Sequence, residues 1–184
     1  MSIYLIILIV VAILLVGVVA LYNGFITLRN RTKEAWADIE VQLKRRYDLI
    51  PNLVETVKGY AKQEKDVFEE VTKARSQAMQ TKGTAEKGKA ENVLTDALKS
   101  VFAVAEAYPT LRSSENFQKL QDELTDTENK IEASRRFYNG NVRDFNTALQ
   151  KFPNSILAAI ANFQPMELFE ITNAAEKETP NVKF

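Results

Sequence analysis

The stretch FQKLQDELTDTENKIEASRRFYNGNVRDFNTALQKF, residues 117–152, decides the fold. Its apolar and small side chains fall at Phe117, Leu120, Leu124, Thr127, Ile131, Ser134, Tyr138, Val142, Phe145, Leu149 and Phe152, at intervals of three and four that alternate almost without fault. An α-helix returns the same face at that interval, so one long helix with a narrow apolar seam is expected here. Such a seam suits packing against near-parallel neighbours in a helical bundle. Ser113 or Ser114 offers an N-cap, Glu115 adds a favourable charge to the first turn, and Pro153 stops the helix.

Working upstream, the next helix carries Leu94, Leu98, Val101, Phe102, Ala105 and Tyr108 and is expected to end at Pro109. Gly83 to Gly88 reads as a polar loop between two helices. Before it, Tyr60 or Ala61, then Phe68, Val71, Ala74 and Ala78, repeat at helical spacing. Further back, Phe25, Leu28, Thr32, Ala35, Ile39, Leu43, Tyr47, Ile50, Val54 and Val57 mark an amphipathic helix with charged residues between them. Pro51 interrupts it by removing a backbone donor and disfavouring helical geometry at Ile50. The apolar phase runs through Pro51 unchanged, and no glycine or asparagine precedes it, so a kink fits the local residues better than a reversal. Downstream of Pro153, Ile156 to Phe163 is a short apolar segment that caps the bundle or touches a partner. Ala175 to Phe184 is polar and expected to be frayed.

Upstream of all this lies IYLIILIVVAILLVGVVALY, residues 3–22, with fifteen of twenty positions Ile, Leu or Val and no charge. A helix of that length spans roughly 30 Å, the hydrocarbon thickness of a bilayer. Transfer of those fifteen side chains favours the membrane by on the order of 5 to 9 kcal/mol. No basic residue precedes the run, which is also longer than a signal-peptide core, so a retained anchor is expected rather than a cleaved leader. Arg29, Arg31 and Lys33 follow it, which places the N-terminus outside and the soluble part in the cytoplasm.

Lysine and arginine total 24 against 24 aspartate and glutamate, so no basic surface points to nucleic acid. The chain contains no histidine and no cysteine. Catalytic triads, H-E-x-x-H sites, thiolate nucleophiles and Glu-x-x-His di-metal sites therefore cannot be built. GTAEKGKA, residues 83–90, imitates the start of a phosphate-binding loop. Ala90 replaces the Ser or Thr that would hold magnesium, and no strand leads into it. Lys44, Arg45 and Arg46 begin roughly 33 Å beyond the span along a straight helix, several Debye lengths away, so a solvated or paired face is expected there rather than a lipid site. Glu64, Glu69, Glu70, Glu123 and Glu128 are expected at the solvent face or in local pairs such as Glu69 with Lys73. Arg46, Asp48 and Asn52 crowd Pro51, while Glu128 and Arg135 flank the long seam one heptad apart. Some of these five are expected to pair across helices in a polar network, because buried polar groups need partners; the alternative is exposed charges bordering the core. No catalytic, cofactor-binding or metal-binding residue is identified, and no small-molecule substrate is evident.

Residues 36–60, WADIEVQLKRRYDLIPNLVETVKGY, together with Asn30, resemble the LemA family. The resemblance returns at ENF (115–117), TENKI (127–131), RFYN (136–139), VRDFN (142–146), FPNS (152–155) and FQP (163–165). It covers nearly the whole chain apart from the segment near 80–90 and the tail. It implies a bacterial, single-span membrane protein with four helices in an up-and-down antiparallel bundle, which would put a reversal near Pro51. It brings no catalytic residue set. Related proteins occur in magnetosome membranes, and family genes often lie near membrane metalloprotease genes.

The expected architecture is therefore all-α: a transmembrane anchor over 1–24, a LemA-like bundle of four long helices with a short C-terminal helix over 25–165, and a partly disordered tail over 166–184. The expected function is a non-enzymatic interaction or scaffold module at the cytoplasmic face of the inner membrane. Its partners would be the bilayer and other membrane proteins, or further copies of itself. The alternative is a regulatory or sensor subunit of a membrane enzyme such as a metalloprotease.

Overall fold

The computed structural model describes residues 2–170, and the expectation for the chain's last ten residues lies outside them. Among the described residues there are six helices and no strand: α1 (Ile3–Lys58), α2 (Lys65–Gln80), α3 (Thr84–Glu106), α4 (Pro109–Arg112), α5 (Glu115–Gln150) and α6 (Asn154–Ile160). The fold class is all-α. The contacts divide into two compact units, one of residues up to Asp38 with Arg136–Glu167, the other of Ile39–Arg135 with the segment from Leu168. Helices α1 and α5 each contribute to both.

In the unit around Ile39–Arg135 the seams lie where helical periodicity puts them. Ile39, Leu43, Ile50, Leu53, Val54 and Val57 of α1 are buried, as are Phe68, Val71, Ala74 and Ala78 of α2. Leu94, Leu98, Val101 and Ala105 of α3 and Phe117, Leu124 and Ile131 of α5 complete this core. Each large side chain among them removes enough apolar surface from water to contribute about 1.5–3 kcal/mol. Three residues, Thr81 to Gly83, join α2 to α3, a length that makes them antiparallel neighbours. Gly83 has φ +88°, the left-handed region that glycine enters without steric cost.

Pro51 does not reverse the chain. It lies inside α1, which continues to Lys58, and the reversal comes at 59–64. The local reading of the residues was the better guide here, and the turn implied by the four-helix resemblance sits eight residues later. The missing N–H of Pro51 leaves the carbonyl of Tyr47 without its donor four residues on. Arg75 of α2 supplies the replacement, with Nε donating to that carbonyl at 2.7 Å. A break in one helix is thus answered by a side chain from the next.

The segment 83–88 is a correction of another kind. The polar connection ends at Gly83, and Gly88 is buried inside α3, on the same face as Leu94 and Leu98. TAEK and the residues after it are adequate helix formers, so the helix starts as soon as the turn is complete. Gly88 is needed for space. A Cβ there would collide with the carbonyl oxygen of Glu170, so the chain at 168–170 crosses α3 closely. Phe169 is fully buried beside that crossing. Helix α3 ends at Glu106, short of Pro109, which instead opens α4 at a position where its missing N–H costs nothing.

In the other unit, Phe25 of α1, Phe145 of α5 and Ala158 of α6 form a core with Leu28, Leu149, Leu157 and Phe163 against it. Ring centroids of Phe25 and Phe163 are 5.1 Å apart, and those of Trp36 and Tyr138 are 5.3 Å apart. The segment after α6 is held by side chains of α5. The Asn146 amide donates to the Met166 carbonyl and accepts from the Met166 N–H, both at 2.9 Å, and Tyr138 donates to the carbonyl of Glu167 at 2.9 Å. Phe152 leaves the α5 seam because the helix ends at Gln150, and it is exposed. The apolar part of α1 joins this core only at its end, where the Tyr22 ring lies 6.0 Å from that of Phe163, centroid to centroid. No residue of its most apolar window is buried within the protein, and the helix there is long and apolar enough to cross a membrane.

The pairing of Arg75 with the orphaned carbonyl is testable by a double-mutant cycle. Arg75→Leu should cost about 1.5–3 kcal/mol, the range for a hydrogen bond from a charged donor. In a Pro51→Ala background the restored N–H can reach the Tyr47 carbonyl, so the same Arg75→Leu change should cost distinctly less. Denaturant unfolding of the full chain in detergent, read by near-ultraviolet circular dichroism, measures both. Strictly additive losses would refute the pairing.

A buried charge cluster as the candidate functional site

The polar seam of α1 meets α3 and α5 at Arg46 and Tyr47. Helical phase turns both residues inward, one beside the other, between Leu43 and Ile50. The Arg46 side chain is 3% exposed, and its guanidinium lies 3.3 Å from Glu91 of α3 and 3.6 Å from Glu128 of α5. It also donates to the Thr95 hydroxyl at 2.7 Å. The Tyr47 hydroxyl donates to the other Glu91 oxygen. Lys87 stands over the Tyr47 ring at 5.4 Å while donating to the carbonyl of Ala78 at 2.7 Å. A cleft of about 310 Å³ opens beside the cluster, with Arg46, Thr95, Lys99, Glu128 and Asn129 among its lining.

Burial dominates the electrostatics. Glu91 is fully enclosed, which pushes its carboxyl above the ordinary carboxylate range; the Tyr47 hydrogen bond and the charges of Arg46 and Lys87 pull it back only in part. Burial also pushes the Tyr47 hydroxyl up, and the Glu91 charge adds to that, so Tyr47 stays protonated and donates. Nearer the surface, Arg45 reaches Asp126 of α5 at 2.8 Å, and Lys130 shares the same carboxylate at 2.9 Å. Those two cations hold Asp126 below its usual range. The whole arrangement positions three helices against one another. It presents no nucleophile with a free base beside it.

Of the five residues picked from the sequence, Arg46 and Glu128 meet in this cluster. Asp48 is exposed and pairs locally with Lys44 at 3.1 Å. Asn52 is exposed, and its backbone carbonyl accepts from the Thr56 hydroxyl at 2.8 Å. Arg135 is half-buried two turns beyond Glu128 on α5. Glu91, Thr95 and Lys87 were not singled out. Glu91 had a signal, since it lies three residues before Leu94 on the apolar face of α3, but reading 83–88 as a loop hid the helix that would have shown it.

Residues 35–184 match the sequence model of the LemA family. The magnetosome protein MamQ of Magnetospirillum gryphiswaldense is 25% identical over 174 residues, covering 80% of this chain and 64% of that protein. Magnetosome protein MamQ 2 of Paramagnetospirillum magneticum is 26% identical over 175 residues, covering 81% of this chain and 64% of the relative. Magnetosome protein MamQ 1 of the same organism matches to the same extent. The chain thus spans slightly less than two thirds of these relatives' length.

Two measurements probe the cluster. Removing one member of the buried pair, as in Arg46→Met or Glu91→Leu, should cost about 3–5 kcal/mol because it strands a charge or a donor set. The double variant should recover most of that loss, and a double variant no more stable than either single one would contradict the pairing. The pH dependence has a definite sign. A raised Glu91 pKa means that the folded chain holds this proton to higher pH than the unfolded chain does. Its contribution is fully present below the ordinary carboxylate pKa and is lost as pH rises through the raised value. Glu91→Gln should flatten that decline in thermal melts taken across the range, and an unchanged slope would assign the decline to other groups.

Proposed function

This chain belongs to the LemA family, and on that premise we propose that it is a non-enzymatic interaction module tethered to the bacterial inner membrane, with its helical units in the cytoplasm. The observation that carries the reading is the state of α1. Its first part is apolar, uncovered by protein and long enough to cross a bilayer, and the same unbroken helix goes on to carry Arg46 and Tyr47 into the charge cluster. A chain without histidine or cysteine spends its buried charges on fixing helix register rather than on reacting atoms. Arg29, Arg31 and Lys33 just after the span support the N-out orientation. The relatives are named as magnetosome proteins, which favours a part in organising a membrane compartment and its proteins.

A second reading, a regulatory subunit of a membrane enzyme such as a metalloprotease, is favoured by the same continuity of α1, since one helix runs from the span to the residues of the charge cluster.

Crosslinking of the full chain in native membranes, followed by identification of the adducts, tests both. Adducts with other membrane proteins or between copies are expected. Adducts dominated by one protease would select the second reading, and recovery of free monomer alone would defeat both. Protease treatment of intact cells should leave the C-terminus uncut; cleavage there would overturn the orientation.

A further inference from the structure

The corner between α1 and α2 bears a groove of about 800 Å³ that the charge cluster does not use. Lys58 at the end of α1, Lys62 in the connection, and Lys65 and Lys73 on α2 line it, against a single carboxylate, Glu69. Four ammonium groups face Glu69, and with Glu55 paired to Lys58 the groove keeps a net positive rim in a chain whose formal net charge is zero. Several surface lysines elsewhere sit against acids of their own helix, among them Lys44 with Asp48, Lys119 with Glu115 and Lys130 with Asp126, while Lys33, Lys82 and Lys89 form no ion pair among the described residues. Here the local option is not taken. Glu69 precedes Lys73 by four residues, the favourable helical arrangement, yet the two do not pair, contrary to the sequence-based expectation. Among the described residues Lys62, Lys65 and Lys73 make no ion pair, and Lys58 has one, to Glu55 at 3.1 Å.

The floor is apolar. The ring of Phe68 lies under the Lys58 ammonium at 5.9 Å, and the aliphatic stems of the lysines flank it. Lys65 and Lys73 are two helical turns apart, about 12 Å, which matches the spacing of side chains on one face of a second helix. A free phosphate would use the charge and leave the apolar floor bare. A flat membrane surface would not fill a concave groove.

We propose that this lysine-rimmed groove docks an acidic amphipathic helix of a partner protein, its carboxylates meeting the lysines and its apolar side chains lying over Phe68. The proposal rests on the interaction-module reading and names the chemistry of the partner. Charge complementarity of this kind raises the association rate and selects the partner, and salt weakens it.

The test uses the full chain in nanodiscs of neutral phosphatidylcholine and a synthetic helical peptide with glutamates at i, i+4 and i+7 and leucines on the adjoining stripe. Binding is expected, weakening as salt is raised. In the Lys62→Glu/Lys65→Glu/Lys73→Glu variant it should fall at least tenfold while the circular dichroism spectrum is retained. Because all three positions are exposed, the variant should fold; should it not, the corresponding lysine-to-glutamine variant with a smaller loss of affinity serves instead. Equal binding to a scrambled peptide of the same composition, equal binding by the variant, or binding only to vesicles containing phosphatidylglycerol would overturn the groove. The two readings separate in membrane crosslinking. A triple variant that gives the same adducts as the natural chain removes the groove and leaves the module, whereas a natural chain without adducts removes the module.

Discussion

A single missing backbone proton shapes the centre of this protein. Pro51 has no N–H, and the carbonyl of Tyr47 one turn earlier would be an unsatisfied acceptor in the middle of a packed helix. Arg75 fills that role from α2. The consequence is that α1 can remain one helix through Pro51 to Lys58 while being tied to its neighbour at the weakest point of its own hydrogen-bond ladder. Tyr47 is then held from two sides, its carbonyl by Arg75 and its hydroxyl by Glu91. Arg46, the next residue back, joins the same acid and reaches Glu128.

Around that point, apolar burial supplies most of the driving force and polar contacts supply the choice of register. Leu43, Ile50, Leu94 and Leu124 would pack in several shifted arrangements at similar cost, because hydrophobic contacts have little directionality. A buried guanidinium that must meet one carboxylate on α3 and another on α5 tolerates far fewer. Gly88 plays a comparable part through space rather than charge, since only a residue without a Cβ lets the chain at Glu170 cross so near. Charge and space together thus restrict the register of three helices, in keeping with the proposed interaction module.

Much was legible in the residues. The seam from Phe117 to Leu149 is found on the inward face of α5 because helical period depends only on local geometry. The apolar run at 3–22 could be read directly because lipid solubility depends on length and composition rather than on contacts. The resemblance put the first reversal near Pro51 instead of after Lys58, and the glycines at 83–88 put the start of α3 too late, since glycine reports local preference and not where packing begins or ends a helix.

The sequence by itself determined the helical class, the uncovered apolar segment and the absence of histidine and cysteine chemistry, all of which follow from residue type and short-range spacing. Only the tertiary structure decided which polar residues meet. Arg46 and Glu91 are 45 positions apart, Tyr47 and Arg75 are 28 apart, and no local rule links such partners. Asp48 bears a carboxyl group as Glu91 does, yet the phase of α1 turns it toward water, where it pairs with Lys44 of its own helix. A charge acquires its role from the surface that packing removes around it.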